Sequence, residues 1–397
     1  MWLTAMCVVS GYLLGSVSPS YFLGRLLRGI DIRQHGNGNA GTVNTFAVLG
    51  LLPSAITALF DTGKGLAAMW LTLMLGGTPA QGYFAGYAAV IGHVFPFYLR
   101  FRGGQGVATA VGLMLFLLGT ALVRGWMAWG HIAVLAGWVA VFAFICRRGE
   151  MVGVMVLPLL LLMLDTRAPW CWEVVFLNLV VAHILFVNVY NIVVKKVVRL
   201  RPELRERVEW WRVLLRPGAL AFPLVNLRYG PQSALLLTGA VLAISVVADL
   251  VRAHREAPAA STYRNSYLVH PAFLRGYHLS RITAFLAACF LSILLFAPPI
   301  ALAAIVFVVF GDAFAKLFGL QWGRTPLLGK TVEGTLACLA VCLVAGLFMA
   351  EVLPLNPWVL LAGAFVATAG ELVPVGLNDN LVVPLCSGLV MHLLGRA

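Results

Sequence analysis

The sequence predicts an all-α polytopic integral membrane protein, with about seven helices in an N-terminal bundle and about six or seven in a C-terminal bundle. Of its 397 residues, 61% are hydrophobic and 11% charged, and the mean hydropathy is +0.92. These values exclude an ordinary soluble protein. Long apolar runs alternate with short polar connections that carry most Lys and Arg. The net charge of +13 therefore indicates basic loops at an anionic membrane surface rather than nucleic-acid binding.

The first half contains seven apolar runs that are long enough to be helices in a bilayer. They lie near 3–27, 48–76, 82–98, 107–123, 126–145, 151–164 and 173–194. We interpret the first run as a retained span, because no basic region precedes it. Basic residues at every second junction predict an N-terminus outside the cell and basic loops in the cytosol.

The composition changes after residue 198 to a dense run of Arg, Glu and Trp. We divide the chain into a first domain at 1–198, an amphipathic basic linker at 199–216 and a second domain at 217–397. The linker is either an interfacial helix, with its tryptophans at the headgroup level, or a solvated helix.

The second half has seven further apolar runs, several of them too short to cross a bilayer unaided. They lie near 217–228, 232–251, 281–297, 299–310, 333–353, 357–377 and 381–394. We expect tilted, broken or re-entrant helices here. Counting helices puts the polar segments 252–280, 311–332 and 378–380 on the cytosolic side.

A short glycine-rich loop joins the third and fourth apolar runs. Gly103, Gly104 and Gly106 leave backbone N–H groups open to a ligand, and Arg100 and Arg102 add positive charge. This combination suits a phosphate or another oxyanion. Glycines at helix ends also serve as plain caps, and that alternative stays open.

Two further polar groups belong to the first half. Small residues and amides around Ser16 and in the segment 29–44 would form a cradle for a small phosphorylated polyol. Asp61 and Lys64 are one helical turn apart within an apolar run. Because charges in lipid are costly, these two either pair or face a polar cavity.

The order and spacing of these motifs resemble the PlsY family of membrane acyl-phosphate:glycerol-3-phosphate acyltransferases over residues 10–200. The matching motifs are Gly15-Ser16-x-x-Pro19, Gly29-Ile30-Asp31-Ile32-Arg33, the Gly/Asn loop 36–44, Asp61-x-x-Lys64-Gly65, Gly92-His93-x-Phe95-Pro96 and Phe101-Arg102-Gly103-Gly104. The resemblance implies a seven-helix enzyme that forms lysophosphatidate from glycerol 3-phosphate and acyl phosphate, without a covalent acyl-enzyme.

The resemblance also implies roles for individual residues. Arg33, Asn39 and Asn44 would hold the glycerol phosphate, and the amides of 103–106 the departing phosphate. His93 would orient or deprotonate the hydroxyl, or it is a hydrogen-bonded residue that closes a helix end. The predicted substrate-binding and phosphate-binding set of this half is Ser16, Arg33, Asn39, Asn44, Lys64, Gly103, Gly104, Gly106 and Thr109.

Four positions depart from the family pattern. Asn37 replaces a serine, Ala47 an arginine and Gln105 a lysine, while Asn188–Asn191 is all that remains of a third motif. Charged hydrogen bonds to phosphate are worth about 1.5–3 kcal/mol each. A first domain that is an inactive scaffold is therefore an alternative to an active acyltransferase.

The second half concentrates its polar residues in two patches. Gly311-Asp312-x-x-Ala315-Lys316 and Gly329-Lys330-Thr331-x-Glu333-Gly334-Thr335 form the first, and Asp379-Asn380-Leu381-x-Val383-Pro384 the second. Lysine meets phosphate oxygens as a compact charge, and carboxylates hold magnesium. A polar re-entrant loop with helix caps is the structural alternative.

These patches resemble the superfamily of CTP-dependent phytol, dolichol and diacylglycerol kinases over residues 200–397. The resemblance implies that Asp312 and Asp379 bind Mg²⁺ or activate a lipid hydroxyl, with CTP as phosphoryl donor. Lys316, Lys330, Thr331 and Glu333 complete the predicted CTP-phosphate site. A phosphatidate cytidylyltransferase is a related alternative.

The sequence thus predicts a fused transferase of glycerolipid synthesis in the bacterial inner membrane, with both sites on the cytosolic face. Its expected partners are membrane lipids, glycerol 3-phosphate and acyl phosphate, without nucleic acid. A membrane transporter is the remaining alternative, although no inverted repeat is visible and the polar residues cluster at one face.

Overall fold

The computed structural model describes residues 2–146, 148–194, 216–256, 280–373 and 378–395. The predicted linker, apart from Arg216, and residues 257–279 of the predicted polar loop lie outside these ranges. The chain divides into two compact units, Met1–Val198 and Arg199–Ala397. Both are helical, which confirms the predicted fold class.

The first unit contains nine α-helices and two short 3₁₀ turns among its described residues. The helices are α1 (Trp2–Ser16), α2 (Pro19–Arg28), α3 (Thr42–Leu49), α4 (Leu51–Met74), α5 (Pro79–Val94), α6 (Val107–Val123), α7 (Trp129–Cys146), α8 (Gly149–Arg167) and α9 (Trp172–Val193). The 3₁₀ turns are Ile32–Gln34 and Phe97–Leu99.

The first predicted apolar run is not one continuous helix, because it breaks between Ser16 and Pro19. Proline at the first position of α2 lacks the N–H that would continue α1. Helix α2 restarts with Tyr21 N–H donating to Ser18 O. The break leaves the Val17 carbonyl outside both helical hydrogen-bond ladders.

Small residues let α1 and α5 pack backbone to backbone. A Cβ at Gly11 or Gly15 would overlap the carbonyl groups of Ala85 and Ala89, and one at Gly92 would overlap the Tyr12 carbonyl. This approach resembles the small-residue packing of membrane helices. It brings the C-terminal end of α5 beside the break after Ser16.

Helix α4 shows the inside-out polarity expected of a membrane helix. Leu59 is 80% exposed, whereas Asp61 and Lys64 are almost fully buried. Apolar side chains on the outside match lipid, and charges are tolerated only inside the bundle. Gly65 and Gly112 let α4 and α6 approach, since a Cβ at Gly112 would overlap the Thr62 carbonyl.

The second unit begins with a 3₁₀ turn at Arg216–Leu220 and contains six α-helices and one hairpin in its described part. The helices are α10 (Ala221–Glu256), α11 (Arg281–Leu295), α12 (Pro298–Trp322), α13 (Val332–Val352), α14 (Pro357–Leu372) and α15 (Asp379–Leu394). The hairpin pairs β1 (Pro326–Leu327) with β2 (Lys330–Thr331). Two predicted runs, 217–228 and 232–251, remain separate segments, because the backbone of Gly230 (φ 83°, ψ 170°) before Pro231 is not helical and divides α10.

The prediction that 311–332 is a polar segment after the end of a helix is wrong for its first half, because α12 continues to Trp322. Asp312 and Lys316 lie one turn apart on this helix and form an ion pair, so their charges do not end it. The rest of the segment forms the hairpin. Its two-residue turn, Leu328 and Gly329, has positive φ at both positions, as in a type I′ turn.

Six helical stretches among the described residues are long and apolar enough to cross a membrane. They are Trp2–Arg28, Gly149–Arg167, Trp172–Ile192, Arg216–Arg252, Pro298–Lys316 and Val332–Val352. Shorter apolar helices pack beside them. The chain is an integral membrane protein, as its sequence predicts.

Candidate functional site

The centre of the first unit is a buried chain of three side chains, Asp61, Lys64 and His93. The Lys64 Nζ lies 2.8 Å from Asp61 Oδ1 and 2.7 Å from His93 Nδ1. It also donates to the Val17 carbonyl at 3.1 Å, the group that the break after α1 exposes. Of the two alternatives predicted for Asp61 and Lys64, the structure shows the ion pair. Lys64 has all three donors engaged, so its predicted role as a phosphate ligand is not supported by its contacts.

Arg33 holds two loops together. Its guanidinium forms a bidentate pair with Asp31 at 3.0 and 2.7 Å, and Nη1 donates to the carbonyls of Leu99 and Arg102 at 2.9 Å. These hydrogen bonds with Arg33 hold the pKa of Asp31 below its usual range. Protein groups use most of the donors of Arg33 in this arrangement, so its role in holding the glycerol phosphate stays a prediction.

Asn44 acts in the same way inside the Gly/Asn loop. Its amide donates to the carbonyls of Ile32 and His35, each at 3.0 Å, and its Oδ1 accepts from the Asn37 N–H at 2.8 Å. The predicted contact of Asn44 with substrate is thus also replaced by a loop contact. Asn39 differs from Asn44, because the only hydrogen bond assigned to it among the described residues is donated by its backbone N–H to Asn37 Oδ1 at 3.0 Å. It remains a candidate ligand.

Two tyrosines fasten the segment after α5 to the start of the chain. Tyr12 donates to the Phe95 carbonyl at 2.7 Å, and Tyr98 donates to the Ser16 carbonyl at 2.8 Å. The Ser16 hydroxyl donates within its own helix to Tyr12 O at 2.8 Å. Ser16 is buried, so its predicted substrate contact gives way to a packing role.

The glycine-rich loop folds back over His93. The N–H groups of Gly103 and Gly104 donate to the carbonyls of Val94 and His93, both at 3.0 Å. These two amides are therefore not the free anion donors that the sequence predicts. A Cβ at Gly104 would overlap His93 Nε2 and lie 2.6 Å from the Ala40 carbonyl. Only glycine lets these three segments meet here.

The start of α6 is the part of this loop that keeps free donors. Gly106 is its N-cap, in a left-handed conformation at φ 75° that suits glycine, and provides no side-chain cap. The first N–H groups of a helix have no acceptor within the helix. In the first turn, the Thr109 hydroxyl is fully buried and has no hydrogen-bond partner among the described residues. Gly106 and Thr109 therefore remain in the candidate site.

Gln105 and Asn191 form a reciprocal amide pair that joins the loop to α9. Gln105 Nε2 donates to Asn191 Oδ1, and Asn191 Nδ2 donates to Gln105 Oε1 at 3.1 Å. His183 Nε2 lies 3.0 Å from the Gln105 carbonyl. The neutral Gln105, which replaces a family lysine, thus binds a neutral residue of the degenerate third motif. Asn188 packs against Gly153 of α8.

Sequence reasoning missed Tyr98 and His183. The signal for His183 was present, since it is an ionisable side chain in the middle of a largely apolar helix. The signal for Tyr98 was not, because tyrosines near membrane surfaces are common. The predicted residues that remain candidates for contact with a ligand are Asn39, His93, Gly106 and Thr109.

The second unit brings its predicted charges into two ion-paired groups. Asp312 contacts Lys316 at 2.6 Å and also pairs with Arg216. Lys330 contacts Glu371 at 2.8 Å and Asp379 at 2.9 Å.

Arg216 connects the two groups, because it also donates to Asn380 at 2.7 Å, next to Asp379. The Lys330 pKa is lowered by burial, but the carboxylates of Glu371 and Asp379 outweigh this effect and raise it overall.

Thr331 and Glu333 have local roles in this unit. The Thr331 hydroxyl caps α13 by accepting from the Gly334 N–H at 3.2 Å. The Glu333 carboxylate accepts from the Thr325 N–H at 3.3 Å. These contacts fix the hairpin to the helix, so the predicted phosphate contacts of both residues are not supported.

The residues predicted to hold Mg²⁺ do not fit that ion as arranged. Both oxygens of Asp312 are bonded to Lys316, and Asp379 is paired with Lys330. The described part of the chain contains no group of three or more His, Cys, Asp or Glu side chains placed to hold a metal ion. Neither Asp312 nor Asp379 is assigned as a metal ligand.

Comparison with known proteins identifies the first unit. The profile of the glycerol-3-phosphate acyltransferase family matches residues 5–197. The glycerol-3-phosphate acyltransferase of Halalkalibacterium halodurans is 39% identical over 185 residues, covering 45% of this chain and 84% of the relative. That of Shouchella clausii is 48% identical over 113 residues, covering 28% of this chain and 55% of the relative.

A crystal structure of PlsY (YgiH), an integral membrane glycerol 3-phosphate acyltransferase, in its glycerol 3-phosphate form, aligns with 23% identity and a TM-score of 0.40. The alignment covers 50% of this chain and 96% of that structure. The sequence matches confirm the resemblance inferred from the motifs of the first half, whereas the kinase resemblance of the second half stays a prediction. Through its first unit, the chain belongs to the glycerol-3-phosphate acyltransferase family.

Proposed function

We propose that the first unit transfers an acyl group from an acyl phosphate to a hydroxyl of glycerol 3-phosphate and forms lysophosphatidate. The observation that carries this proposal is the convergence on His93 of the break after α1, the Gly/Asn loop and the glycine-rich loop. These segments carry the motifs of the family, and Gly104 joins two of them against the imidazole.

The reaction needs no covalent enzyme intermediate. The acceptor hydroxyl oxygen forms a bond to the acyl carbon while the bond from that carbon to the phosphate oxygen breaks. The electron pair of the broken bond leaves with phosphate, and the hydroxyl proton ends on a phosphate oxygen. The protein must bring the two substrates together and stabilise negative charge on their oxygens.

The start of α6 is the best-supported anion site of this unit. Its first N–H groups point out of the helix, and the helix dipole favours negative charge there. The buried Thr109 hydroxyl lies in the same turn, and Gly106 keeps the approach open. We place an anionic oxygen of acyl phosphate at this helix end and the polar acceptor beside Asn39.

A direct assay tests this proposal. Purified full-length protein, reconstituted in bilayers, is incubated with glycerol 3-phosphate and acyl phosphate, and lysophosphatidate is measured. We expect product from the wild type and a loss of at least tenfold in His93→Ala. His131→Ala is the matched control, because His131 lies on α7 and accepts a local backbone hydrogen bond from Ala128. Folded wild-type protein that forms no product would support the inactive-scaffold alternative instead.

We also propose that the chain resides in a bacterial inner membrane with this site on the cytosolic face. The basic residues of its short loops support this orientation. Accessibility of a cysteine introduced at exposed Arg28 or Gln34 to a membrane-impermeant thiol reagent would test it, in intact cells and in inverted vesicles. We expect labelling only in the inverted vesicles, and labelling in intact cells would reverse the orientation.

For the second unit, we propose phosphorylation of a lipid alcohol with CTP as the donor. The observation that favours this function is a pair of ion-paired groups, Asp312 with Lys316 on α12 and Lys330 with Glu371 and Asp379, which Arg216 connects. Lys316 and Lys330 would exchange their carboxylate partners for phosphate oxygens, and a freed carboxylate such as Asp379 would accept a hydrogen bond from the lipid hydroxyl. We derive no step through a metal ion.

The kinase proposal has its own assay. Wild-type protein receives labelled CTP with either diacylglycerol or a polyprenol, and phosphorylated lipid is measured in each arm. We expect a product in one arm that Lys330→Met abolishes and Asp249→Asn preserves, since Asp249 holds Ser280 and Thr283 at the start of α11. Transfer of a cytidylyl group to phosphatidate would instead identify the cytidylyltransferase alternative.

A further inference from the structure

We infer that His93 carries its proton on Nε2 and donates it as a hydrogen bond to an acyl phosphate oxygen, rather than removing a proton from the acceptor hydroxyl. Asp61 and Lys64 are the positioning residues that fix this tautomer. The tautomer follows from the contacts of Lys64 together with the charges of Lys64 and Asp61. Only its catalytic consequence rests on the proposed acyl transfer.

The contacts around Lys64 allow two proton arrangements. In the first, a Lys64 ammonium donates to Val17 O, Asp61 Oδ1 and His93 Nδ1, which leaves the imidazole proton on Nε2. In the second, a neutral Lys64 amine accepts a hydrogen bond from His93 Nδ1–H and donates to the other two groups. Both satisfy the hydrogen bonds, so charge must decide between them.

Charge favours the first arrangement. Lys64 and Asp61 each have only 1% of their side chain exposed. An ammonium beside the Asp61 carboxylate makes the cluster neutral, whereas a neutral amine would leave one buried negative charge unpaired. A buried unpaired charge is far more costly than a buried pair. His93 Nδ1 lies 3.4 Å from Asp61 Oδ1, a weaker contact than its 2.7 Å approach to Lys64.

The opposite side of the ring lies against Gly104 of the glycine-rich loop, two residues before the N-cap of α6. A Cβ at Gly104 would overlap Nε2, and Ala40 O lies against the same glycine. Within residues 2–146 and 148–194, as far as the structure describes them, no assigned hydrogen bond joins His93 Nε2 to the protein. An N–H at this position is therefore a donor free to meet a ligand oxygen.

In this arrangement His93 acts as a hydrogen-bond donor, and the acyl phosphate takes up the proton of the hydroxyl. A neutral imidazole with its proton on Nε2 has no lone pair on that side, so it cannot act there as a general base. It can stabilise charge that develops on a ligand oxygen. The hydroxyl proton then passes to the departing phosphate, as in the balanced reaction above.

Nitrogen NMR on the full chain tests the tautomer without any assay of activity. Protein with ¹⁵N-labelled histidine is reconstituted in bilayers, and His93 is assigned by its loss in His93→Gln. We expect a protonated Nε2 and an unprotonated Nδ1. His183 is the internal reference, because its Nε2 must donate to the Gln105 carbonyl. A His93 proton found on Nδ1 would overturn the inference and leave the acyltransferase proposal intact.

The Lys64→Met variant tests the positioning role. Without the ammonium, Asp61 becomes the nearest charged partner of Nδ1, so the His93 proton should move to Nδ1 while His183 stays unchanged. A His93 spectrum that keeps the wild-type tautomer would show that Lys64 does not set it. If this variant does not fold, the wild-type spectrum decides alone. A chain inactive in acyl transfer would leave the tautomer result standing.

Discussion

The two units place their charged side chains in different surroundings, and the difference separates groups that build a site from groups that can bind a ligand. Asp61 and Lys64 of the first unit have 1% of their side chains exposed. In the second unit, Lys316, Lys330 and Asp379 are 42%, 32% and 38% exposed, although the partner carboxylates Asp312 and Glu371 are only 4% and 8% exposed. Buried pairs are costly to separate, whereas pairs near water exchange partners readily. The charges of the first unit therefore hold its backbone in place.

The largest effect should come from breaking the buried pair. Lys64→Met leaves the Asp61 carboxylate buried without a counter-charge, so we expect a loss of about 3–5 kcal/mol of unfolding free energy. Lys330→Met should cost less, about 1 kcal/mol, because Lys330 and its partner Asp379 are both partly exposed to water. Unfolding of both variants in the same detergent checks the comparison.

The double variant Asp61→Leu with Lys64→Met is the control for this pair, since it removes both charges together. We expect it to regain much of the lost stability. Equal losses in Lys64→Met and Lys330→Met would contradict the distinction between the units.

Arg33 should have the next largest effect. Arg33→Ala removes hydrogen bonds to Asp31 and to the carbonyls of Leu99 and Arg102. Because the Arg33 side chain is partly exposed, we expect a loss of about 2 kcal/mol. Exposed Arg28 provides the control variant, Arg28→Ala. A substrate role would instead raise KM in a protein of unchanged stability, which measurements of unfolding and kinetics separate.

The amide pair of Gln105 and Asn191 should have a smaller effect that couples the two positions. We expect Gln105→Ala and Asn191→Ala to show a coupling free energy of about 1 kcal/mol in a double-mutant cycle. Independent losses that simply add would mean that the pair does not hold the loop. A Gln105→Lys variant asks whether the family lysine is compatible with this chain.

Acid should produce the smallest effect, through Asp31. Its folded pKa is depressed below the ordinary value of 3.8, mainly by hydrogen bonds with Arg33. The stability that this carboxylate contributes is therefore present above about pH 4. It is lost as the pH falls through the folded pKa. Unfolding measured from pH 5 downward should show a shallower acid dependence in Arg33→Ala than in the wild type, and identical slopes would exclude this linkage.

Hydropathy predicted most helices, and helical spacing predicted the Asp61–Lys64 pair, because both depend on neighbouring residues. The hydrogen-bond acceptors of Arg33 could not be predicted from neighbouring residues. They are carbonyl groups 66 and 69 residues away, and the residue type alone does not distinguish a phosphate oxygen from a backbone oxygen. The same limit applies to Asn44.

In the second unit, the sequence motifs did not predict the secondary structure around Asp312 or the partners of its charged residues. Glycines and charges around Asp312 suggested a loop, but the i,i+4 ion pair with Lys316 keeps α12 helical. The importance of Arg216 could not be predicted, because its partners Asp312 and Asn380 are distant in the chain. The sequence indicated which charged residues are important in this unit, but it did not predict which of them pair.

The most direct test of the account is the rate of lysophosphatidate formation by wild-type protein and by His93→Gln and His93→Asn. The glutamine amide reaches toward the Nε2 position and can donate there, whereas the shorter asparagine amide lies near Nδ1. We predict product from the wild type and at least tenfold more activity in His93→Gln than in His93→Asn, at comparable stability. Folded wild-type protein without product, or equal loss in both variants, would contradict the account.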